Sequence, residues 1–344
     1  MTIKRKIIAA ATFVFAVVIM MVIFFNIGYG QPDKDTAQEK LVVVSPHPAP
    51  FIIPLINEFE SETGIKVKAL QCGTSKALEL IKSDADIDVL WGGSILSVGE
   101  SEGAFLPYKT ENIDSFYENF KDVGEGFTCF TDVPSVLMIN TDLIGDIEVK
   151  GYEDLLNPRL KGKIAFADPS SSSSSFEHLT NMLYAMGNGN PEDGWDYVEK
   201  FSDQLNGVIL QSSSEVYEGV SSGKFLVGLT FEEAALTMIN QDKHIKIVYM
   251  EEGILSTPDG VYINKNTKHA DSAKKFVDFM TAYNTQKYIT AKLGRRSVRR
   301  DVEASVLVTP KEELNIVEAD RDVVGSSENK WLSRFSDMMG GANE

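Results

Sequence analysis

The sequence has few of the residues that most often carry metal or redox chemistry. Its 344 residues include 2 cysteines and 4 histidines, and the histidines are scattered at positions 47, 178, 244 and 269. Structural zinc sites need Cys and His ligands at short, regular spacings. We therefore expect no Cys/His metal cluster and no bound cofactor.

The sequence also lacks the common signatures of catalysis. It has no Gly-x-Ser-x-Gly elbow, no phosphate-binding P-loop, no His-Glu-x-x-His and no dinucleotide fingerprint. Asp84, Asp86 and Asp88 alternate, but the Gly and Glu of a calcium-binding loop are missing. We find no base oriented by a third group, so we expect the chain not to be an enzyme.

The sequence also has fewer basic than acidic residues. The formal net charge is -17, with 33 Lys and Arg against 50 Asp and Glu. Such a surface repels nucleic acid and anionic lipid, and no basic stripe offsets the repulsion. An acidic protein can still bind an anion if the site uses local dipoles instead of net charge.

One long apolar run is present, at the N-terminus. Lys4, Arg5 and Lys6 precede it, it extends from Ile7 to Phe25, and small and polar residues follow as far as Gln31. This pattern is typical of a secretory signal peptide or a single N-terminal anchor, so residues 1–30 predict that the protein is exported. We expect the protein to contact a membrane only through this segment. Cleavage after Gly30 is left open, because the usual Ala-x-Ala is absent.

Export also bears on the two cysteines. In an oxidising compartment Cys72 and Cys129 are able to form a disulfide, but two buried thiols fit the sequence equally well. Spacing alone does not decide between these alternatives.

In the remainder of the chain, predicted strands alternate with predicted helices in a β-turn-α pattern. Residues 31–40 are polar and indicate a linker, and the body of some 300 residues suggests two domains. Apolar strands such as Leu41 to Val44 and Ile87 to Trp91 alternate with amphipathic helices, which implies mainly parallel sheets flanked by helices. Lys311 to Glu344 predicts one or two helices covering the surface.

The strands share a chemical feature at their ends. Strand after strand ends in Ser, Thr or Gly directly before a helix, and ligands of open α/β sheets bind at the carboxyl ends of the strands. Helix N-termini add free N–H groups and positive dipole ends. A single such residue is more often an ordinary helix cap, but a series predicts a neutral, donor-rich anion site. Its candidate phosphate-binding residues are Ser45, His47, Thr74, Ser75, Ser94, Ser172, Ser173, Ser174, Ser213 and Ser214.

These segments resemble a known family. The strand and Ser-Pro-His-Pro turn of Leu41 to Glu60, the Gly162-Lys163-Ile164 strand with its serine run, and Phe225 to Thr230 are similar to periplasmic binding proteins of the ferric-ion type. So is Arg296 to Asp301. Ferric members carry adjacent tyrosines where this chain has Phe231 and Glu232, and Phe231 cannot ligate a metal. The Trp91 to Ser94 turn and the serine run look closer to the branch that binds hexose phosphates.

The resemblance implies a two-lobed α/β fold of type II, in which each lobe is a mixed, mainly parallel sheet flanked by helices. Such a protein closes on its ligand and serves an ABC importer. We expect lobe 1 over 41–132 plus about 240–300, lobe 2 over 133–239, and a C-terminal helical segment over 301–344. The protein is then an exported, monomeric solute-binding protein that captures a phosphorylated sugar and partners permease subunits. Alternatives are a ferric or other metal-ion-binding protein of the same fold, and an exported phosphate-ester hydrolase or anchored sensor.

Acidic and basic residues complete the predicted site. The resemblance implies that acidic side chains take the sugar hydroxyls, so Glu232 and Glu233 are the candidates, with Glu232 facing the cleft. Arg295, Arg296, Arg299 and Arg300 form a basic cluster. One of them can clamp phosphate in a bidentate manner, or the cluster is a solvated patch that pairs with surface acids.

Overall fold

The structure is a computed structural model that describes residues 40–83 and 86–341. The predicted signal peptide or anchor (1–30) and most of the predicted linker (31–40) lie outside the described residues. Within those residues, no helix combines the length and the apolar content needed to cross a membrane.

The first part of the chain repeats the strand–helix unit three times. The first helix, α1 (Ala49–Thr63), begins with a proline in its first turn and ends at Gly64, whose positive φ of 72° gives the left-handed C-cap that glycine adopts most easily. Its buried face consists of Phe51, Ile52, Leu55, Ile56 and Phe59. The elements are β1 (Lys40–Ser45), α1 (Ala49–Thr63), β2 (Lys66–Gln71), α2 (Thr74–Ser83), β3 (Val89–Ser94) and α3 (Ile95–Val98).

The second part of the chain begins with the longest strand and ends with the longest helix that the structure describes. Strand β5 has only two residues, Ile164 and Ala165, and an isolated bridge joins Ala167 to Leu210. The elements are β4 (Thr128–Asn140), β5 (Ile164–Ala165), α4 (Ser173–Met186), α5 (Trp195–Leu205), α6 (Ser213–Ser221), β6 (Val227–Phe231), α7 (Glu232–Asn240), β7 (Ile245–Val248), β8 (Ser256–Ile263), α8 (Ala270–Thr281), α9 (Tyr283–Leu293), β9 (Arg296–Ser297) and α10 (Arg321–Gly341).

The strands join in the order β2-β1-β3-β8-β4-β6-β5, and β7 and β9 also pair with β4. Strand β1 runs parallel to β2 and β3, and β5 runs parallel to β6. The pairs made by β4 and β8 are antiparallel. The sheet is therefore mixed, and antiparallel pairs outnumber the parallel pairs that the sequence suggested, because β4 and β8 run against their neighbours.

Strand β4 connects two groups of strands. Its first half, Thr128 to Pro134, pairs with β8, and its second half, Ser135 to Asn140, pairs with β6 and β7. The change near Pro134 coincides with the expected start of lobe 2 at 133, and the lobe boundaries stay a prediction. Strand β7 pairs with the second half of β4, whereas the sequence assigned residues from about 240 to lobe 1.

The helices bury their apolar faces against these two groups of strands. One cluster holds Leu41, Phe59, Trp91 and Phe276 around β1 and β3. A second cluster surrounds the later half of β4 with residues of α4 and α5, and it also takes Trp331 and Phe335 from α10. The C-terminal helix thus contributes buried side chains to a core. Cys72 and Cys129 are free thiols that belong to different clusters.

Candidate functional site

A cavity of about 160 Å³ forms where the polar ends of several elements meet. Residues of both groups of strands contribute to its walls. The expectation that hydroxyl-bearing turns converge therefore holds for part of the predicted set. The lining residues are Pro46, His47, Thr74, Gly93, Ser94, Val133, Ser173, Ser174, Glu177, Ser213, Phe231, Asp259 and Arg295.

The last part of β3 is shaped by two glycines. Gly92 and Gly93 have φ values of 107° and 87°, which side-chain-bearing residues rarely adopt. A Cβ atom on Gly92 would lie 2.6 Å from His47 Nε2, and one on Gly93 would lie 2.8 Å from Thr74 Cγ2. The glycines thus let His47 and Thr74 approach the backbone at the cavity wall.

The serine run divides into capping and lining residues. The Ser172 hydroxyl accepts a hydrogen bond from the Ser175 N–H at 3.4 Å and caps α4. Ser173 and Ser174, in the first turn of the same helix, line the cavity. Ser172, although predicted to bind phosphate, therefore has an ordinary capping role.

Helix α6 repeats this division. Ser212 caps the helix through the Glu215 N–H, whereas Ser213 lines the cavity. Ser214, the next predicted site residue, is exposed and is not among the lining residues. At the start of α2, Thr74 lines the cavity, but its neighbour Ser75 is exposed and does not.

Of Ser45 and His47, only His47 lines the cavity, and Ser45 has a structural role. Ser45 is fully buried, donates to the Trp91 carbonyl at 2.6 Å and accepts from the His47 N–H, so it joins β1 to β3. His47 lines the cavity, and its Nε2 atom is buried without a hydrogen-bond partner. Burial, and to a smaller extent the Arg295 cation, hold the pKa of His47 well below its ordinary value. The imidazole is therefore neutral.

Glu232 lies away from the cavity. Its carboxylate accepts hydrogen bonds from Arg296 Nε and Nη2 at 2.7 to 3.0 Å and from the Tyr249 hydroxyl, and the side chain is 2% exposed. Glu233 pairs with Arg295, which does line the cavity. The prediction that Glu232 faces the cleft does not fit this arrangement, because the first turn of α7 directs it to Arg296.

The basic cluster is not a solvated patch. Arg295, Arg296 and Arg299 are largely buried and ion-paired, and only Arg300 of the four is exposed. Although burial alone lowers it, the Glu233 and Asp259 carboxylates hold the pKa of Arg295 above its ordinary value. Arg295 is therefore a fixed cation in the cavity wall.

Sequence reasoning missed Glu177 and Asp259 and left Arg295 undecided. Glu177 follows Ser173 and Ser174 by four and three residues, so helical spacing places all three on one face of α4. That spacing was a usable signal. Asp259 is an isolated acid within β8, and its pairing with Arg295 becomes visible only in the folded chain.

The charges in the cavity partly cancel. Arg295 donates to Asp259 and also contacts the Thr131 hydroxyl at 3.2 Å. His47 Nε2 lies 3.6 Å from Asp259. The walls thus combine hydroxyl donors, one cation and acidic acceptors, which suits a ligand with both an anionic group and hydroxyl groups.

Comparison with known proteins defines the class. The family described as bacterial extracellular solute-binding protein matches residues 54–315. This range is more than half of the chain, and the chain belongs to that family. It is therefore an exported binding protein and not an enzyme, as the sequence predicted.

Among curated proteins, the iron uptake protein A1 of Synechocystis is similar, with 25% identity over 254 residues. The alignment covers 68% of this chain and 69% of that protein. For a second curated relative, the alignment covers 66% of that protein, so the chain spans about two thirds of these relatives' length.

Two solved structures are similar over nearly their whole length. One, titled "Two-component system protein mediate signal transduction", has a TM-score of 0.77 and 27% identity, and covers 86% of this chain and 100% of that one. The other is the periplasmic binding protein AfuA from Actinobacillus pleuropneumoniae with fructose-6-phosphate bound. It has a TM-score of 0.77 and 21% identity, and the match covers 88% of this chain and 99% of that one. The two-lobed periplasmic-binding-protein fold expected from the sequence is confirmed.

Proposed function

We propose that the chain is the substrate-binding component of an ABC importer and captures a sugar phosphate in the cavity. The observation that carries the proposal is the convergence of Thr74, Ser94, Ser173, Ser174 and Ser213 with Arg295 on one cavity. Hydroxyl groups, helix N-termini and a buried guanidinium are the groups that bind phosphate oxygens best.

Helix dipoles support the phosphate end of this site. Thr74, Ser173 and Ser213 each stand in the first turn of a helix of nine or more residues. The free N–H groups and the positive ends of α2, α4 and α6 are thereby close to the cavity wall. These dipoles attract an anion although the whole protein is acidic.

Asp259 supports the sugar end. It lines the same cavity and is held by Arg295, so that its second oxygen is available to accept from a sugar hydroxyl. We therefore propose Asp259 for the role that the sequence assigned to Glu232, with Glu233 acting through Arg295. The similarity to AfuA, whose structure has fructose-6-phosphate bound, supports a sugar phosphate as the ligand.

Two features disfavour the ferric alternative for this chain, although a curated relative is named an iron uptake protein. Phe231 lines the cavity and offers no ligand atom. Arg295 places a permanent positive charge in the wall, and a positive charge repels Fe(III).

Calorimetric titration tests the proposal. Glucose 6-phosphate should bind, glucose and inorganic phosphate should bind more weakly, and Fe(III) should not compete. The Ser174→Ala and Ser213→Ala variants should each lose about tenfold or more in affinity for glucose 6-phosphate, since a hydrogen bond to a charged group contributes roughly 1.5–3 kcal/mol. Ser171→Ala is the matched control, because Ser171 is exposed in the same run and does not line the cavity. Tight Fe(III) binding without sugar-phosphate binding would overturn the proposal.

A second candidate function is an anchored ligand sensor. It is favoured by the 27% identity to the structure titled as a two-component system protein and by the N-terminal apolar run. A deletion strain separates the two functions. Loss of sugar-phosphate uptake supports the importer, whereas intact uptake with a lost transcriptional response to the ligand supports the sensor.

A further inference from the structure

Glu177 occupies an unusual position for a carboxyl group in an anion site. It lies on α4 one turn beyond Ser173 and Ser174, lines the cavity and is 9% exposed. Ser94, at the end of β3, lines the same cavity. An acidic side chain thus stands between the hydroxyls that the proposed function assigns to phosphate.

The charged and titratable groups around Glu177 come from four places in the fold. Asp259 faces it from β8, Arg295 from the segment before β9, and His47 from the turn before α1. Glu233, on α7, acts through its ion pair with Arg295. Arg295 is shared by two carboxylates and His47 is neutral, so none of the described residues that line the cavity is a separate counterion for Glu177.

An ionised Glu177 would oppose the binding of a phosphate ester. Two like charges within one buried site repel each other strongly, because the local dielectric constant is far below that of water. A protonated carboxyl group, in contrast, is a hydrogen-bond donor to a phosphate oxygen. Burial already raises the pKa of Glu177 to about 8, so the neutral form predominates at neutral pH.

We propose that Glu177 is a specificity-determining residue that binds the phosphate group as a neutral carboxylic acid, so that ligand binding is coupled to the uptake of one proton at alkaline pH. This inference rests on the proposed function of the cavity. The carboxyl proton is donated to a phosphate oxygen in a hydrogen bond and stays on Glu177, and no bond is made or broken.

Calorimetry with glucose 6-phosphate between pH 6.5 and 9.5 tests the inference. The second pKa of a phosphate monoester is about 6, so the ligand is a dianion throughout the range above pH 7.5. In the wild-type protein the dissociation constant should rise about tenfold from pH 7 to pH 9, because the proton must first be returned to Glu177. Titrations in two buffers of different ionisation enthalpy should show uptake of close to one proton at pH 9.

The Glu177→Gln variant should bind with wild-type affinity near pH 6.5, since an amide N–H also donates, and its affinity should not change up to pH 9.5. Glu303→Gln, at an exposed acid outside the cavity, is the control and should keep the wild-type slope. A wild-type dissociation constant that is flat with pH, or an unchanged slope in Glu177→Gln, would overturn the inference and leave the proposed function intact. Failure of the wild-type protein to bind any phosphate ester at pH 6.5 would overturn both. If Glu177→Gln does not fold, the proton uptake of the wild-type protein decides alone.

Discussion

At the scale of single residues, the two adjacent glutamates at the start of α7 have different partners. Glu232 is paired with Arg296 away from the cavity, and Glu233 is paired with Arg295 at its wall. Neighbouring residues on a helix point about 100° apart, which explains the separation. A step of one residue likewise separates Ser212 from Ser213 and Ser172 from Ser173, so one residue of each pair caps the helix and the next lines the cavity.

The first prediction concerns Glu232. Replacing it with Ala leaves the Arg296 guanidinium buried and without its carboxylate, and removing one partner of a buried ion pair costs about 3–5 kcal/mol. Urea denaturation of Glu232→Ala should therefore show a large fall in the free energy of unfolding. Glu303→Ala, at an exposed acid, should change it by less than about 0.5 kcal/mol. Unchanged stability combined with a selective loss of sugar-phosphate affinity would instead restore Glu232 as a ligand-binding residue.

A second prediction concerns Arg295, which is held by Glu233 and Asp259 and lies 5.0 Å from the Phe51 ring centroid. Lysine keeps the charge but cannot reach both carboxylates in the fork geometry of a guanidinium. We expect Arg295→Lys to weaken sugar-phosphate binding by about tenfold or more, as measured by calorimetry. Arg300→Lys, at the exposed member of the basic cluster, should retain wild-type affinity. Equal affinities for both variants would place Arg295 outside the binding site.

At the scale of elements, the cavity is built by helices that begin at its wall. The division between capping and lining serines provides a direct test. Ser212→Ala removes the cap of α6 and should lower the free energy of unfolding by about 1 kcal/mol, with little change in ligand affinity. Ser213→Ala should show the reverse pattern. Chemical denaturation and calorimetry on both variants check the prediction, and a loss of affinity in Ser212→Ala alone would contradict it.

The elements also show how far the sequence could lead. Alternating apolar strands and polar strand ends predicted β1, β3 and the cavity's position, because buried strands and N-caps are encoded locally. The pairing of Arg295 with Asp259 and Glu233 joins residues 36 and 62 positions apart. No local pattern reports such a contact. The antiparallel course of β4 and β8 was missed for the same reason, since strand direction depends on long-range pairing.

At the scale of the whole molecule, β4 carries the connection between the two groups of strands. Residues on both sides of its change of partners near Pro134 help to line the cavity, including Val133 on β4 itself. A ligand held by both groups then stabilises their present arrangement. We expect saturating glucose 6-phosphate to stabilise the protein by about 2.7 kcal/mol at a hundredfold excess over the dissociation constant. A thermal-shift series checks this, and an unchanged midpoint temperature at saturation would contradict it.

Stability of the whole molecule should also depend on pH through His178. This fully buried histidine contacts the Thr230 carbonyl through Nε2 at 2.7 Å and the Tyr152 hydroxyl through Nδ1 at 3.0 Å. A neutral ring that donates from Nε2 and accepts at Nδ1 satisfies both contacts. Burial lowers the pKa of His178 to about 4. Because the unfolded chain titrates near 6.5, the neutral ring contributes stability that is fully present above pH 6.5 and is lost as the pH falls through 4.

The loss amounts to about 3 kcal/mol between pH 7.5 and pH 4. Urea denaturation of the wild-type protein and of His178→Gln across this range separates the contribution of His178 from that of other groups. The pKa of His47 is lowered in the same direction, but His47 is present in both proteins, so its contribution cancels in the difference between them. The stability difference between the two should shrink by about 3 kcal/mol as the pH falls to 4. A difference that stays constant with pH would show that His178 gains its proton over the same pH range in the folded protein as in the unfolded chain, and the hydrogen bonds to Thr230 and Tyr152 would then have to be reassigned.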